Sequence, residues 1–301
     1  MSRKILITGV GGQLGKALQQ NLMDKFDVIA TTRFARTLDY KSDIKILDIT
    51  HRREVEKIIN ETHPDIIINC ASYTDVDGCE TNKSHAHLVN VTGLQNLIHA
   101  SDHDTYFIQI SSDYVFDGDA GPYLEEDHTF PINYYGKTKL EAENNLRGSQ
   151  RKSLIIRSNV LYSEDLLRKS NFFSWVYKSL RNNQRISVVN DQVSNPTYIS
   201  HLVQAIFQCI ILNAEGIYHY GSDDYLSRYE FAIAIAKYFK MDANLITSIN
   251  TQDLHQNIPS YVAKRPRHSG LNTLKIENEV GITTYSTEYS LNILNKILVY
   301  T

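Results

Sequence analysis

Runs of consecutive apolar residues alternate with amphipathic stretches through the first half of the chain. The apolar runs predict strands at 3–8, 26–31, 44–47, 65–69, 105–111 and 153–157. The helical periodicity between them predicts helices near 14–24, 51–61, 79–99 and 135–148. The run IIIN at 66–69 has no polar alternation, as expected of a strand covered on both faces. The strand–helix order therefore predicts an α/β fold with a doubly wound parallel sheet.

The alternation becomes less regular after residue 158. There the pattern predicts strands at 186–189 and 216–220 and helices at 171–182, 200–213, 227–240 and 286–300. We expect this part to fold over the carboxyl ends of the strands as a smaller α/β region. The predicted division is a first domain at 1–157 and a second region at 158–301, with 192–213 returning to the first domain.

A glycine-rich turn follows the first predicted strand directly, in the sequence ILITGVGGQLG at 5–15. Gly9, Gly12 and Gly15 have the wider of the two common spacings of dinucleotide-binding turns. Backbone N–H groups and the positive end of the next helix would face a phosphate there. A purely structural turn is the alternative, but a doubly wound sheet places its cofactor turn after the first strand. We therefore predict that Gly9 and Gly12 bind a cofactor.

Composition and charge narrow the functional class. The net charge is −3, and the short basic cluster KRPRH at 264–268 suits a diphosphate better than a duplex, so no nucleic-acid partner is predicted. No apolar stretch reaches the roughly 20 residues of a membrane span. Three cysteines outside any C-x-x-C motif and no signal peptide predict a cytoplasmic protein. His85 and His87 would point to different helix faces, so no metal site is predicted.

Two further segments place polar side chains where a doubly wound sheet binds ligands. The fifth predicted strand ends in Ser111-Ser112-Asp113, and the carboxyl end of a central strand faces the ligand crevice. Tyr135 and Lys139 lie four residues apart at the start of a predicted helix, so they share one helix face. The chain has 19 tyrosines, so such a pair is expected about once by chance and gains meaning only from this context.

Ser112, Tyr135 and Lys139 together fit the reduction of a carbonyl group by hydride. Ser112 would donate to the carbonyl oxygen, where negative charge develops. Tyr135 would deliver the proton, and the Lys139 ammonium would lower the pKa of the phenol and bind the nicotinamide ribose. We predict these three side chains as the catalytic residues.

At this point the chain resembles a known family over nearly its whole length. It is similar to the dTDP-4-dehydrorhamnose reductase branch of the extended short-chain dehydrogenases/reductases, which have a Rossmann fold. The matching stretches in the first half are TGVGGQLG, LDIT (47–50), PDIIINCASYTDVDGCE (64–80), NVTG (90–93), ISSDYVFDG (110–118) and YGKTKLEAE (135–143). Those in the second half are VVNDQVSNPTY (188–198), GIYHY (216–220), YEFA (229–232) and RPRHSGLNTLKI (265–276).

The resemblance implies roles for further residues. Gln13 and Leu14 would join Gly12 at the cofactor diphosphate, and Asp48 and Ile49 would meet adenine. The cofactor would also contact four residues after the fourth strand, which are Ala71, Ser72, Tyr73 and Thr74. Asp113 and Tyr198 would face a nucleotide sugar; Tyr198 as core packing and Asp48 as a helix cap are the alternatives. The resemblance thus implies an NADP-binding domain at 1–157 and a mainly substrate-binding region at 158–301.

The second predicted strand indicates which cofactor is used. It ends at Thr32-Arg33 without the acidic residue that binds the ribose 2′-hydroxyl of NAD. Arg33, together with Arg36, suits a 2′-phosphate, so NADP(H) is predicted, with NAD(H) and a solvated Arg33 left open. We expect reduction of a 4-keto nucleotide-linked 6-deoxysugar by a monomer or a homodimer.

One departure from the family bears on the substrate. Where the family usually has tryptophan after the sixth strand, this chain has Asn159, within RSNVLY at 157–162. Asn159 would therefore face a 4-keto nucleotide sugar other than that of the rhamnose pathway. The same segment also resembles the regulatory β-subunit of methionine adenosyltransferase, which implies a second interpretation: an NADP-binding partner protein without catalytic activity.

Overall fold

The computed structural model describes residues 2–34, 44–166, 171–257 and 262–299, without the side chains of 255–257 and 299. The strands of the first half are β1 (Lys4–Thr8), β2 (Asp27–Thr32), β3 (Ile44–Ile46), β4 (Ile66–Asn69), β5 (Tyr106–Ser112) and β6 (Ser153–Ser158). The later strands are β7 (Leu161–Tyr162), β8 (Ile186–Val189), β9 (Val193–Ser194), β10 (Thr197–Tyr198), β11 (Gly216–Tyr220), β12 (Leu226–Ser227) and β13 (Ile246–Ile249).

Seven strands form one parallel sheet in the order β11-β6-β5-β4-β1-β2-β3. The strand order reverses between β1 and β4, and in doubly wound sheets the ligand crevice lies at the carboxyl ends of the strands at that point. The predicted α/β fold with a doubly wound parallel sheet is therefore confirmed. Strand β11 comes from the less regular second half of the chain, where the alternation alone gave no sign that it joins the main sheet.

Helices cover both faces of the sheet. The helices of the first half are α1 (Gln13–Leu22), α2 (Arg52–Thr62), α3 (Val76–Thr81), α4 (Lys83–His87), α5 (Gly93–Ala100) and α6 (Tyr134–Gly148). The later helices are α7 (Phe172–Arg181), α8 (Ile199–Leu212), α9 (Arg228–Tyr238), α10 (Thr251–Asn257), α11 (Leu274–Val280) and α12 (Thr287–Val299).

The prediction of a single helix at 79–99 is wrong, because the structure divides this stretch into several helical segments. In its place the structure has α3 and α4, a π-helical segment at Leu88–Thr92, and α5. Asn82 separates the first two helices, because its side chain accepts the N–H of His85 and caps α4. The apolar periodicity continues through all four pieces, so the pattern alone could not show the breaks.

The hydrophobic core on one face of the main sheet joins the two halves of the chain. Helix α8 packs against α1, and Ile199, Leu202 and Ile206 are buried with Leu18. Helix α11 adds its apolar residues to the same core through Ile276 and Val280. The segment 199–220 is thus built into the sheet layer, and the boundary at residue 157 stays a prediction.

The rest of the second half forms a smaller layer with its own core. Its short sheets pair β8 with β13, β7 with β10, and β9 with β12. Aromatic side chains fill the space between α7 and α9, where the rings of Tyr162, Phe173 and Phe231 are fully buried. This layer is the smaller C-terminal α/β region expected from the sequence. In the described part of the chain, every helix falls short of the length and apolar character needed to cross a membrane.

Helix α8 offers a matched pair of substitutions that tests its packing on the sheet. Ile206→Ala should lower the free energy of unfolding by about 2–5 kcal/mol, because the fully buried side chain leaves a cavity. Ile211→Ala on the same helix should change it by less than about 0.5 kcal/mol, since that side chain is 49% exposed. Urea denaturation of both variants makes the comparison, and equal effects would contradict this placement of α8.

Candidate active site

The glycine turn brings three backbone segments together above β1. Gly9 has a φ of 70°, in the left-handed region that favours glycine, and its carbonyl accepts the N–H of Gly12 at 2.8 Å. A Cβ atom on Gly9 would lie 2.7 Å from the Ala71 nitrogen, and one on Gly15 would lie 2.5 Å from the Gly9 oxygen. Because side chains do not fit at either position, α1 starts directly over the sheet edge and turns its N-terminus to the crevice.

A first cavity of about 350 Å³ opens beside this turn. Eight predicted cofactor residues line it: Gly9, Gly12, Arg33, Asp48, Ile49, Ala71, Ser72 and Tyr73. Arg33 is exposed, with its guanidinium carbon 4.5 Å from the centre of the Phe34 ring. Arg36 lies outside the described residues.

Asp48 both lines the first cavity and holds the adjoining turn. Its Oδ1 atom accepts the backbone N–H of Thr50 at 2.9 Å and the Thr50 hydroxyl at 2.7 Å. Burial raises the pKa of Asp48, but these hydrogen bonds and the nearby charges of His51 and Arg33 outweigh it and hold that pKa below the usual value. A charged Asp48 therefore fixes the loop that leads to Ile49.

The loop after β4 is held by a residue that the sequence analysis did not single out. Asn90 lies in the π-helical segment, and its Oδ1 atom accepts the Tyr73 N–H at 2.7 Å and the Ser72 hydroxyl at 2.9 Å. Its Nδ2 atom donates to the Tyr73 carbonyl and to Thr138 on α6. The sequence signal was the buried polar residue of NVTG inside an otherwise apolar helix face. Asn90 thus fastens the loop shared by both cavities to α6.

A second cavity of about 390 Å³ meets the first at Gly12, Cys70 and Ser72. The remaining predicted residues that line it are Gln13, Leu14, Thr74, Ser112, Asp113, Tyr135, Lys139 and Asn159. The three predicted catalytic side chains therefore lie in one cavity, next to the predicted cofactor cavity. No cluster of three or more potential metal ligands occurs among the described residues.

The start of α6 positions Tyr135 and Lys139. Asn133 caps the helix by accepting the Gly136 N–H at 2.8 Å and donates to the Lys264 carbonyl. Lys139 is 4% exposed, and its ammonium donates to the Ile110 carbonyl at 2.6 Å. Burial lowers the pKa of Lys139 to about 8, so the ammonium form still predominates at neutral pH.

Tyr135 differs electrostatically from the expectation. Its pKa is raised, first by burial and then by the negative charge of Asp113, and hydrogen bonding with Ser112 opposes this shift only in part. The expected lowering by Lys139 is therefore not what this site produces. A neutral phenol remains at physiological pH, and this is the form that can give a proton to a developing alkoxide.

Ser112 and Asp113 form a buried hydrogen-bonded group at the end of β5. The Ser112 hydroxyl donates to Asp113 Oδ1 at 2.9 Å, and the Ser269 hydroxyl donates to Oδ2 at 2.6 Å. Burial raises the pKa of Asp113 to about 6, although both hydroxyls and the charge of Arg228 lower it. The carboxylate is thus held between Ser112 of the main sheet and Ser269, which lies 156 residues further along the chain.

The segment that carries Ser269 is fastened to the first half by an ion pair. Arg265 donates to both carboxylate oxygens of Asp77, at 2.7 and 2.5 Å, and Asp77 also accepts the N–H groups of Val262 and Ala263. This pairing holds the pKa of Asp77 below its usual range despite partial burial. Within the basic cluster of 264–268, Arg265 therefore has a structural role.

Asn159 has a fixed orientation at the cavity wall. Asn195 Oδ1 accepts the backbone N–H of Leu271 at 3.0 Å, so the group that faces it from Asn159 at 2.9 Å must be the amide Nδ2 donor. Asn159 Oδ1 is buried and has no hydrogen-bond partner among the described residues. The wall therefore contains an amide held in place by Asn195, with an acceptor left unpaired.

Tyr198 and Arg228 differ from the prediction in opposite ways. Tyr198 lies outside both cavities, packs on Tyr162, and donates its hydroxyl to Glu164 at 3.2 Å. Arg228 was not predicted, yet it lines the second cavity, with its guanidinium carbon 5.3 Å from the centre of the Phe172 ring. The sequence signal for Arg228 was the capping box of Ser227 and Glu230, because it predicts a helix that starts at Arg228.

The chain matches the family described as the RmlD substrate binding domain over residues 3–298. It belongs to this family. A dTDP-4-dehydrorhamnose reductase of Aggregatibacter actinomycetemcomitans is 36% identical, over 93% of this chain and 94% of that protein. A crystal structure of the Bacillus anthracis dTDP-4-dehydrorhamnose reductase in complex with NADP covers both chains fully at 31% identity, with a TM-score of 0.87.

Another relative is named as a subunit of a different enzyme. Methionine adenosyltransferase 2 subunit beta of Rattus norvegicus is 29% identical, over 92% of this chain and 82% of that protein. Both families named in the sequence analysis are thus found among the relatives. Membership in the RmlD family confirms the first resemblance and the extended short-chain dehydrogenase/reductase fold.

Asp113 should couple stability to pH in a direction opposite to that of most acidic residues. Its pKa is raised in the folded state, so its ionisation costs stability as the pH rises from the unfolded value of 3.8 through about 6. Asp113→Asn removes this cost and should raise the free energy of unfolding by up to about 3 kcal/mol at about pH 7.5. At about pH 4.5 the gain should be smaller. Urea denaturation at both pH values tests this, and a gain independent of pH would contradict it.

Proposed function

We propose that this protein is an NADPH-dependent reductase that acts on the 4-keto group of a nucleotide-linked 6-deoxysugar, in deoxysugar and cell-surface polysaccharide biosynthesis. The observation that carries the proposal is the shared cavity of Ser112, Tyr135 and Lys139, which opens into the cavity beside the glycine turn. The relatives named dTDP-4-dehydrorhamnose reductase support the same chemistry.

The residues around the first cavity fit a dinucleotide. Gly9 and Gly15 leave no room for side chains, so a diphosphate can approach the N-terminus of α1 closely. The exposed Arg33 guanidinium suits the 2′-phosphate of the adenine ribose, and Ile49 and Val89 offer apolar surface to a base. Bound NADPH would supply the hydride.

Side chains of the protein would then stabilise the negative charge on the substrate oxygen and supply the proton. Ser112 can turn its hydroxyl from Asp113 toward a carbonyl oxygen and stabilise the negative charge that develops there. Neutral Tyr135 gives its proton to that oxygen, and the Lys139 ammonium, held by the Ile110 carbonyl, stabilises the resulting phenolate. Asp113 keeps Ser112 in place between turnovers.

The substrate side is proposed from the second cavity. Asn159 presents a small amide at the position where related enzymes usually carry tryptophan, and Arg228 adds a cation to the same cavity. A polar wall suits the hydroxyl groups of a sugar, and the arginine suits its negatively charged nucleotide. We therefore assign Asp113, Asn159 and Arg228 to substrate binding and leave Tyr198 to packing.

The second candidate function is a non-catalytic NADP-binding subunit. The similarity to methionine adenosyltransferase 2 subunit beta favours it over unrelated alternatives. In that case Tyr135 and Lys139 would serve only as cofactor contacts. Cofactor binding without turnover of any 4-keto nucleotide sugar, together with co-purification of a synthetase, would favour this candidate.

Arg33 should decide between the two nicotinamide cofactors. Arg33→Ala should weaken NADPH binding about 10- to 100-fold, because a charge-assisted bond to phosphate is lost, and should leave NADH binding nearly unchanged. Arg52→Ala is the control, since that exposed arginine pairs with Glu56 on α2. Fluorescence titration measures all affinities, and equal losses for NADPH and NADH would remove this assignment.

Tyr135 should be required for turnover. Tyr135→Phe should lower the rate of NADPH oxidation with a panel of 4-keto-6-deoxy nucleotide sugars about 100- to 10,000-fold, because the proton donor is removed. NADPH should still bind. Tyr134→Phe is the matched control on the preceding residue, which lies outside both cavities. Wild-type turnover that survives Tyr135→Phe would overturn the proposed mechanism.

A further inference from the structure

A row of polar side chains crosses three strands next to the second cavity, whose lining includes Ser111. In the sheet register Ser111 of β5 pairs with Arg157 of β6, which pairs with His219 of β11. All three are buried, and Arg157 is 2% exposed. Polar groups at this depth require partners, so the helix that covers them must supply one.

Glu143 of α6 is that partner. It is 1% exposed, and its Oε1 atom accepts from Arg157 Nε at 3.0 Å and from the Ser111 hydroxyl at 2.5 Å. Its Oε2 atom accepts from Arg157 Nη2 at 2.7 Å. Arg157 also donates to the Glu125 carbonyl. The carboxylate is therefore fixed by a two-pronged arginine contact and a hydroxyl.

Glu143 lies one helical turn beyond Lys139, on the face of α6 that also carries Tyr135. Lys139 and Glu143 are both buried, so the charge of one acts on the other with little screening by water. Burial disfavours the Lys139 ammonium, and the negative charge of Glu143 is the largest influence that favours it.

The other ionisable groups near Lys139 do not replace Glu143. Cys70, after β4, faces the ammonium, but burial raises the pKa of its thiol to about 12, so it is neutral. Asp113, at the end of β5, raises the pKa of Tyr135 and is not among the influences on Lys139. The charged groups of α3 and α4, which pack against α6, have other partners: Asp77 pairs with Arg265, Glu80 accepts the Tyr134 N–H and pairs with Lys83, and His87 pairs with Glu141.

We propose that Glu143, held by Arg157 and Ser111, is a positioning residue that acts through Lys139 and keeps its ammonium charged. This inference rests on the proposed function only for its catalytic readout. Glu143 does not touch the second cavity; it acts through Lys139, and Arg157 partly offsets its charge. Removing Glu143 should therefore disfavour the Lys139 ammonium more than removing Arg157, which leaves Glu143 buried without its cation and so uncharged.

The test is the pH dependence of NADPH affinity and of turnover. The alkaline limb of both profiles should move down by about one pH unit or more in Glu143→Gln, because Lys139 then lacks the negative charge that favours its ammonium form. In Arg157→Gln the limb should move down by less, because the buried Glu143 then loses the cation that keeps it ionised and both charges of the pair are absent. Lys139→Met should abolish the limb.

Controls separate this role from simple damage to the fold. Glu141→Gln changes an exposed acid on the same helix, paired with His87, and should leave the limb in place. If Glu143→Gln does not fold, the double variant E143Q/R157Q still removes the Glu143 charge and should place the limb below that of the wild type. A limb that stays fixed in Glu143→Gln, or that moves further down in Arg157→Gln than in Glu143→Gln, would overturn the inference.

The two proposals fail in different ways. Shifted NADPH-binding profiles without turnover of any sugar would support the role of Glu143 and contradict the reductase. Turnover that depends on Tyr135, with an alkaline limb that does not shift when Glu143 or Arg157 is replaced, would support the reductase and contradict this role.

Discussion

The common direction of the seven strands is the constraint on which the site depends. Because all of them are parallel, their carboxyl ends meet at one edge of the sheet, where the backbone is no longer paired within the ladder. The glycine turn after β1, the loop after β4 and Ser112 at the end of β5 share that edge. The close approach of Gly9 to the Ala71 backbone then brings two of these ends into contact and leaves the crevice open beyond them.

The edge also gathers ionisable groups that would be more stable in water. Burial raises the pKa of Asp113 to about 6 and lowers that of Lys139 to about 8. Both pKa values therefore lie closer to pH 7 than those of the free side chains. The Arg157–Glu143 pair beneath them is buried as well, and replacing such a pair with apolar residues is often neutral or stabilising. The protein therefore gives up stability at this edge, as proteins commonly do where chemistry takes place.

Much of this arrangement could be predicted from the sequence, because strands and motifs are local patterns. The apolar runs located β1 to β6 closely, and the spacing of Tyr135 and Lys139 placed both on one helix face. Features set by distant partners were not predictable: Asn90 shows its role only when α6 lies beside it, and Arg228 lines the cavity only after α9 docks. The pKa of Tyr135 belongs to this class too, since burial and the Asp113 charge raise it and the hydrogen bond with Ser112 opposes them only in part.

The ion pair between Asp77 and Arg265 joins two segments that the ribosome synthesises far apart in time. A ribosome releases the chain from its amino end, so the glycine turn and the strands beside it emerge long before residue 265. The segment that holds Asp113 through Ser269 emerges 156 residues after Asp113 itself. The second cavity is therefore complete only once a segment synthesised much later has folded back onto the end of β5.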